Sequence, residues 1–197
     1  MVVTLEDRVR LYNTGFPEYP DILYSNNWII GTWAIGNFYK RRHAYHGEFP
    51  PGFLKRILRM FPDKKKRLFP FSGTLKRYDG ITVDLNPDLE PDFVGSVENL
   101  PFEDGAFNLV ISDPPYTKED SKKYGYPHPS KPKCLKELAR VTEVGGFLVW
   151  LDLMVPRYAN DDWELIGVIG LYTGTNRRFR AVSMFRRPGE PEVKPLW

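Results

Sequence analysis

"FNLVISDPPY", residues 107–116, is the stretch on which the fold turns. A run that is apolar but for Asn108 and Ser112 ends at an acid, two prolines and an aromatic. Proline cannot donate to a sheet ladder, and it drives the residue before it toward extended backbone. Asp113 is therefore expected at the C-terminal end of a buried strand, with Tyr116 just beyond it on a stiff rim. In an open parallel sheet ligands bind at the carboxyl ends of the strands, near the point where strand order reverses. That makes Asp113 a candidate functional carboxylate.

Working outward, "PPGFLKRILRMF" places Phe53, Leu54, Ile57, Leu58 and Phe61 at helical spacing behind a Pro50-Pro51 start. "KRLFPFSGTLKRYDG" reads as a strand, a glycine turn and a short continuation, and "ITVDLNP" as a second strand ended by Asn86-Pro87. "KPKCLKELARVTEVGG" reads as an amphipathic helix stopped by a double glycine in the left-handed cap position. "FLVWLDL" is another buried strand, and the segment from Trp163 to Pro188 a closing hairpin. Residues 1–45 look irregular and aromatic, with short strands or an ordered loop. Alternating strands and helices predict one α/β domain with a mostly parallel sheet and one antiparallel end.

At 197 residues the chain is long enough for one well-buried core. Hydrophobic residues at 42% and charged residues at 27% are ordinary for a globular protein. Cys134 is the one cysteine, so no internal disulfide forms, and the three histidines show no ligand spacing, so no metal site is expected. No long apolar run and no signal-peptide pattern appear; no membrane association and a cytoplasmic location are the expectation. The net charge of +3 hides a segregation. Nine acids and no Lys or Arg lie between Asp79 and Asp113, leaving 28 bases against 16 acids elsewhere. Bases cluster at Lys40-Arg41-Arg42, Lys64–Arg67, Lys122-Lys123 and Arg177–Arg180. Such a field suits a phosphate backbone or serves only as solvated surface charge.

Three expected strand ends carry chemistry: Phe71-Ser72-Gly73, Asp84 and Asp113. A glycine turn lets a ligand approach the backbone, and an acid ending the next strand suits the two hydroxyls of a ribose. With these residues in this order the chain resembles the class I methyltransferases that use S-adenosylmethionine, specifically those acting on exocyclic amino groups of nucleobases. The resemblance covers roughly residues 45–187. Asp113-Pro114-Pro115-Tyr116 matches that family's catalytic Asp-Pro-Pro-Tyr motif residue for residue. "LFPFSGTL" resembles its glycine motif, "YHGEFPPGFLKRIL" the segment that closes over the methionine end of the cofactor, and "SVENLPFEDGAFNLVISD" the run from the adenine contact to the fourth strand. Three positions depart from the pattern: Phe69 stands in place of an acid, Leu75 in place of the last glycine and Ser96 in place of an Asp.

The resemblance implies a Rossmann-like, mostly parallel seven-stranded sheet with an antiparallel terminal strand and helices on both faces. It implies an N-terminal extension over 1–45 packed on the core, a methyltransferase domain over 46–188 and a tail over 189–197. S-adenosylmethionine is the implied cofactor, held by His46, Phe49, Pro70, Phe71, Ser72, Gly73, Asp84, Leu85, Ser96, Val97 and Glu98. Either Asp84 or Glu98 covers for the missing acid of the glycine motif. Asp113, Pro114, Pro115 and Tyr116 are the implied catalytic group, Tyr116 as a stacking face for the base. Lys40, Arg41, Arg42, Lys122 and Lys123 are candidate nucleic-acid contacts. The substrate expected first is adenine N6 in DNA, with loose sequence specificity, a protein partner that supplies target recognition, or short contacts from residues 117–132. RNA adenine N6 and DNA cytosine N4 are the alternatives, as is a non-catalytic nucleic-acid-binding relative.

Overall fold

A short capped helix begins the chain in the computed structural model, which describes residues 3–35, 49–76, 79–174 and 178–189. In α1 (Leu5–Gly15) the Thr4 hydroxyl accepts from the Asp7 amide and the Asp7 side chain accepts from the Thr4 amide. This reciprocal capping box satisfies two otherwise orphaned donors. Two strands follow, β1 (Leu23–Ser25) and β2 (Trp28–Ile35), joined by Asn26 and Asn27 at φ of 50° and 61°. Both turn residues are left-handed, as a tight hairpin requires, and asparagine tolerates that region better than most side chains. The two strands answer the short strands expected over residues 1–45, and the helix is additional to that reading.

The remaining elements are α2 (Phe53–Met60), β3 (Arg67–Pro70), β4 (Ile81–Asp84), β5 (Phe93–Val94), β6 (Phe107–Ser112), α3 (Lys118–Tyr124), α4 (Lys131–Val141), β7 (Thr142–Asp152), β8 (Glu164–Thr173) and β9 (Arg178–Arg186). They form one sheet in the order β1-β2-β8-β9-β7-β6-β3-β4-β5. The architecture is the expected one: α/β, mostly parallel, Rossmann-like. Among the described residues the sheet has nine strands rather than seven, because the N-terminal hairpin adds two beyond β8. The antiparallel strand β9 is last in the chain but sits inside the sheet, paired with β7 and β8.

Strand β3 lies between β4 and β6, so the chain leaves it first to one side and then to the other. The strand order reverses there, and the carboxyl ends of β3, β4 and β6 flank one crevice. The core has a layer on each face of the sheet. One holds Tyr12, Trp33, Phe53, Ile57, Phe61, Ile111 and Leu151 under α1 and α2. The other holds Leu68, Val110, Leu135, Leu138, Trp150, Trp163 and Phe185 under α4. Burying one such side chain is worth about 1.5–3 kcal/mol, so the strand ends rest on a stiff base. Arg8 is buried beside the first layer, bonded to both carboxylate oxygens of Asp63 at 2.7 and 3.0 Å and lying against both the Phe61 and Phe147 rings.

The expected glycine cap of α4 is not formed. The helix ends at Thr142, whose backbone is already extended and whose hydroxyl donates to the Leu138 carbonyl at 2.6 Å. Gly145 and Gly146 lie instead within β7, where the register against β6 jumps. Gly145 adopts φ +74°, and the two glycines exchange backbone bonds with Arg187. The glycine pair thus anchors the end of β9 and leaves the helix stop to Thr142.

Candidate active site

Strand β6 is buried along its length and stops where Pro114 and Pro115 remove two ladder donors. Asp113 emerges at that end, partly covered. The Tyr116 hydroxyl donates to Asp113 Oδ1 at 2.6 Å and accepts from Arg180 Nη1 at 3.0 Å. Arg180 is buried, and its Nη2 donates to Thr173 Oγ1 at 3.2 Å. On the other side Lys131 Nζ donates to the Tyr116 carbonyl at 3.2 Å and to Asp152 Oδ2 at 2.6 Å. Asp152 is buried and also accepts from the Trp150 indole at 3.2 Å.

These surroundings set the proton affinity of Asp113. Burial pushes its carboxyl up to about 7; the Tyr116 hydrogen bond and the Arg180 charge oppose the rise, and Asp152 adds to it. The Tyr116 phenol is raised far above its ordinary value, by burial first and then by the Asp113 charge, so it stays protonated. A carboxyl titrating near neutrality at a strand end is able to accept hydrogen bonds when ionised and to take up a proton.

The crevice beside Asp113 is built by the loop after β3. Phe71 adopts φ +56°, a strained value for an aromatic residue, and Gly73 φ +55°. The Ser72 amide bonds to the Val83 carbonyl at 3.0 Å, and the Gly73 amide to Asp84 Oδ2 at 2.9 Å. Asp84 Oδ1 accepts from the Asn86 amide at 3.0 Å. A cleft open to solvent is lined on one side by Phe71, Gly73, Asp84 and Leu85 and on another by Asp113 and Pro115. Its far wall comes from α3 and the following loop: Ser121, Tyr124, Tyr126, Pro127 and Pro129. A second, open hollow lies between Phe49–Gly52 and the loop from Ser72 to Lys76. Phe49 lines it and stacks on Phe53 at 5.9 Å, Pro70 is buried at the end of β3, and the Ser72 hydroxyl is buried without a partner.

The geometry thus brings Phe71, Gly73, Asp84, Leu85, Asp113 and Pro115 to one cleft, with Phe49 and Ser72 in the adjoining hollow. Pro114, between Asp113 and Pro115 in the chain, is buried and is not among the residues lining the cleft. Ser96, Val97 and Glu98 do not line either space. Ser96 is exposed and accepts from the Glu98 amide, Val97 belongs to the core under α4, and Glu98 Oε1 accepts from the Ser130 amide at 2.7 Å at the start of α4. Asp84 is therefore the acid that holds the glycine turn, and Glu98 serves α4. Tyr116 is not among the residues lining the cleft; its hydroxyl is turned onto Asp113. Lys122 and Lys123 are exposed on α3, Lys123 3.5 Å from Asp120. His46, Lys40, Arg41 and Arg42 lie outside the described residues.

Arg180, Thr173, Lys131 and Asp152 escape a reading of the sequence as site residues. Arg180 shows there only as part of a basic run. The α3 wall had a local signal, Thr117 capping Asp120 ahead of a basic turn. Among the described residues no group of three His, Cys, Asp or Glu is placed to hold a metal, and no helix is long and apolar enough to cross a membrane.

No protein-family model matches the chain. Over 74 residues it is 39% identical to phthiotriol/phenolphthiotriol dimycocerosates methyltransferase 1 of Mycobacterium ulcerans, a match covering 37% of this chain and 24% of that protein. The chain therefore spans about a quarter of the curated relative's length. Among solved structures it is similar to TrmN from Thermus thermophilus, with a TM-score of 0.51 and 15% identity over 73% of this chain and 51% of that one. A SAM-dependent methyltransferase from Aquifex aeolicus aligns with a TM-score of 0.47 and 13% identity over 69% of this chain and 93% of that one. At that identity the likeness to TrmN is one of fold. S-adenosylmethionine is the cofactor that the sequence resemblance implies. The residues present fit it: Gly73 lines the cleft without a side chain, Asp84 keeps lone pairs on both oxygens, and the Ser72 hydroxyl has no partner among the described residues.

Proposed function

We propose that this chain is an enzyme that methylates an exocyclic amino group of a nucleobase, adenine N6 in DNA first. The observation that carries the reading is the shared cleft: the Gly73–Asp84 crevice opens directly onto Asp113 and Pro115. Bound S-adenosylmethionine supplies the methyl group. Asp84 receives ribose hydroxyls on its remaining lone pairs, and Ser72 with Phe49 lines the adjoining hollow for the amino-acid end.

An amine conjugated into a base is a poor nucleophile, because its lone pair is delocalised into the ring. The Asp113 carboxylate and the Pro114 carbonyl accept its two N–H groups and favour the geometry in which the lone pair is free. The same carboxylate stabilises positive charge developing on nitrogen. The nitrogen gains a methyl group and gives up one proton, and Asp113, poised near 7, takes it. With Tyr116 held on Asp113, Tyr124 and Tyr126 supply the aromatic wall against which an extruded base packs. Lys122 and Lys123 beside that wall suit phosphate contacts.

The test is incubation with labelled S-adenosylmethionine and DNA or RNA of matched sequence, followed by digestion and mass analysis of the nucleosides. N6-methylated deoxyadenosine supports the reading. A label in RNA adenine or in DNA cytosine moves the substrate within the class, and no labelled nucleoside from either polymer overturns it.

A further inference from the structure

We infer that Arg180, from β9 and outside the Asp113–Tyr116 motif, is a positioning residue that acts through the Tyr116 phenol to orient and charge Asp113 for the target amine. Arg180 is 7% exposed, on a strand whose neighbouring inward residues are Val182 and Met184. An apolar side chain would be the cheaper occupant, since a buried guanidinium costs several kcal/mol unless something compensates it. Its two bonded partners are neutral hydroxyls, Tyr116 and Thr173, and its Nε has none. Among the described residues no carboxylate lies within ion-pair distance of it. The nearest acid it acts on is Asp113, one hydrogen bond further on through the phenol.

The direction of that chain is fixed by chemistry. Arginine has no acceptor, so it must donate to the Tyr116 oxygen. The single phenolic proton then has one place to go, Asp113 Oδ1 at 2.6 Å. With Oδ1 occupied, Oδ2 faces the amine, and the carboxylate plane cannot swing. Lys131 fixes the other end of the tyrosine by bonding its carbonyl. The charged groups around Asp113 are therefore Arg180 from β9, Asp152 from β7 and Lys131 from α4, with Asp152 and Lys131 paired to each other.

The inference rests on the methyltransferase reading for its purpose, but its test reads Asp113 directly. The ¹³C carboxyl resonance of Asp113 is titrated in the parent, Arg180→Gln, Arg180→Lys and Tyr116→Phe, with thermal unfolding as a folding control. Losing the cation or the hydrogen bond raises the midpoint by about one pH unit or more in Arg180→Gln and Tyr116→Phe, and Arg180→Lys restores part of the difference. Methyl transfer at neutral pH falls in step and recovers at higher pH. If Arg180→Gln does not fold, Tyr116→Phe and Arg180→Lys decide. A midpoint equal to the parent's in the folded variants overturns the role of Arg180. A shifted midpoint in a protein that transfers no methyl group leaves the clamp standing and removes the methyltransferase reading alone.

Discussion

Replacing Asp113 by Asn should make the protein more stable and far less active. The exchange keeps side-chain size and an oxygen for the Tyr116 O–H, but removes a charge that the fold holds at a cost. The folded midpoint is raised from 3.8 to about 7. The stability linked to that proton is therefore fully present below pH 3.8 and lost as the pH rises through about 7. Each unit of difference is worth 1.36 kcal/mol, so the ionised carboxylate costs at most about 4 kcal/mol, and about 2 after solvent screening of its partly exposed face. At pH 8 the Asn variant should unfold at higher denaturant than the parent, and near pH 4 the two should coincide. Single-turnover methyl transfer should fall by about 10²–10³, the usual cost of one preorganised electrostatic group. In the parent that rate should rise with pH and level off above about 7, because only the ionised carboxyl accepts the amine; the variant should be flat. A variant that matches the parent in rate and pH profile would show that Asp113 is only a turn acid.

Asp84→Ala frees the Gly73 and Asn86 amides and should weaken S-adenosylmethionine binding by about 1–3 kcal/mol, measured by equilibrium dialysis. Affinity for DNA or RNA should fall with salt at a log–log slope on the order of −3 to −6, read by fluorescence anisotropy; a flat response would mean that the exposed lysines are merely solvated. Thr4→Ala removes the cap of α1 and should cost about 1 kcal/mol in denaturant unfolding, with methyl transfer unchanged.

What the sequence made legible were features enforced locally. Two prolines stop β6 wherever it packs, so Asp113 could be placed from residues 107–116 alone. The helical spacing from Phe53 to Phe61 and the hairpin of β8 and β9 were likewise visible. Helix α1 was obscured because few of its residues are apolar, although Thr4 and Asp7 carried the capping pattern and Asn26-Asn27 marked the following hairpin. Gly145-Gly146 misled because a glycine pair after a helical pattern suits a cap and a strand irregularity equally well. Glu98 was read as a ligand contact; its bond from the Ser130 amide ahead of α4 is a partnership made across 32 residues that no local pattern shows. Arg180 lies 64 residues from Tyr116, and no local pattern shows which neighbour a strand residue meets in the sheet. The site's electrostatics are a property of strand order, which the motif does not record.

The catalytic role proposed for Asp113 presupposes that S-adenosylmethionine occupies the cleft between Gly73, Asp84 and Pro115. Calorimetric titration of the purified chain with S-adenosylmethionine measures this directly. Saturable binding of one cofactor per chain is predicted, with tighter binding at pH 8 than at pH 6, because the positive sulfur favours the ionised Asp113. That pH dependence should shrink in Asp113→Asn. No saturable heat at either pH would contradict the account.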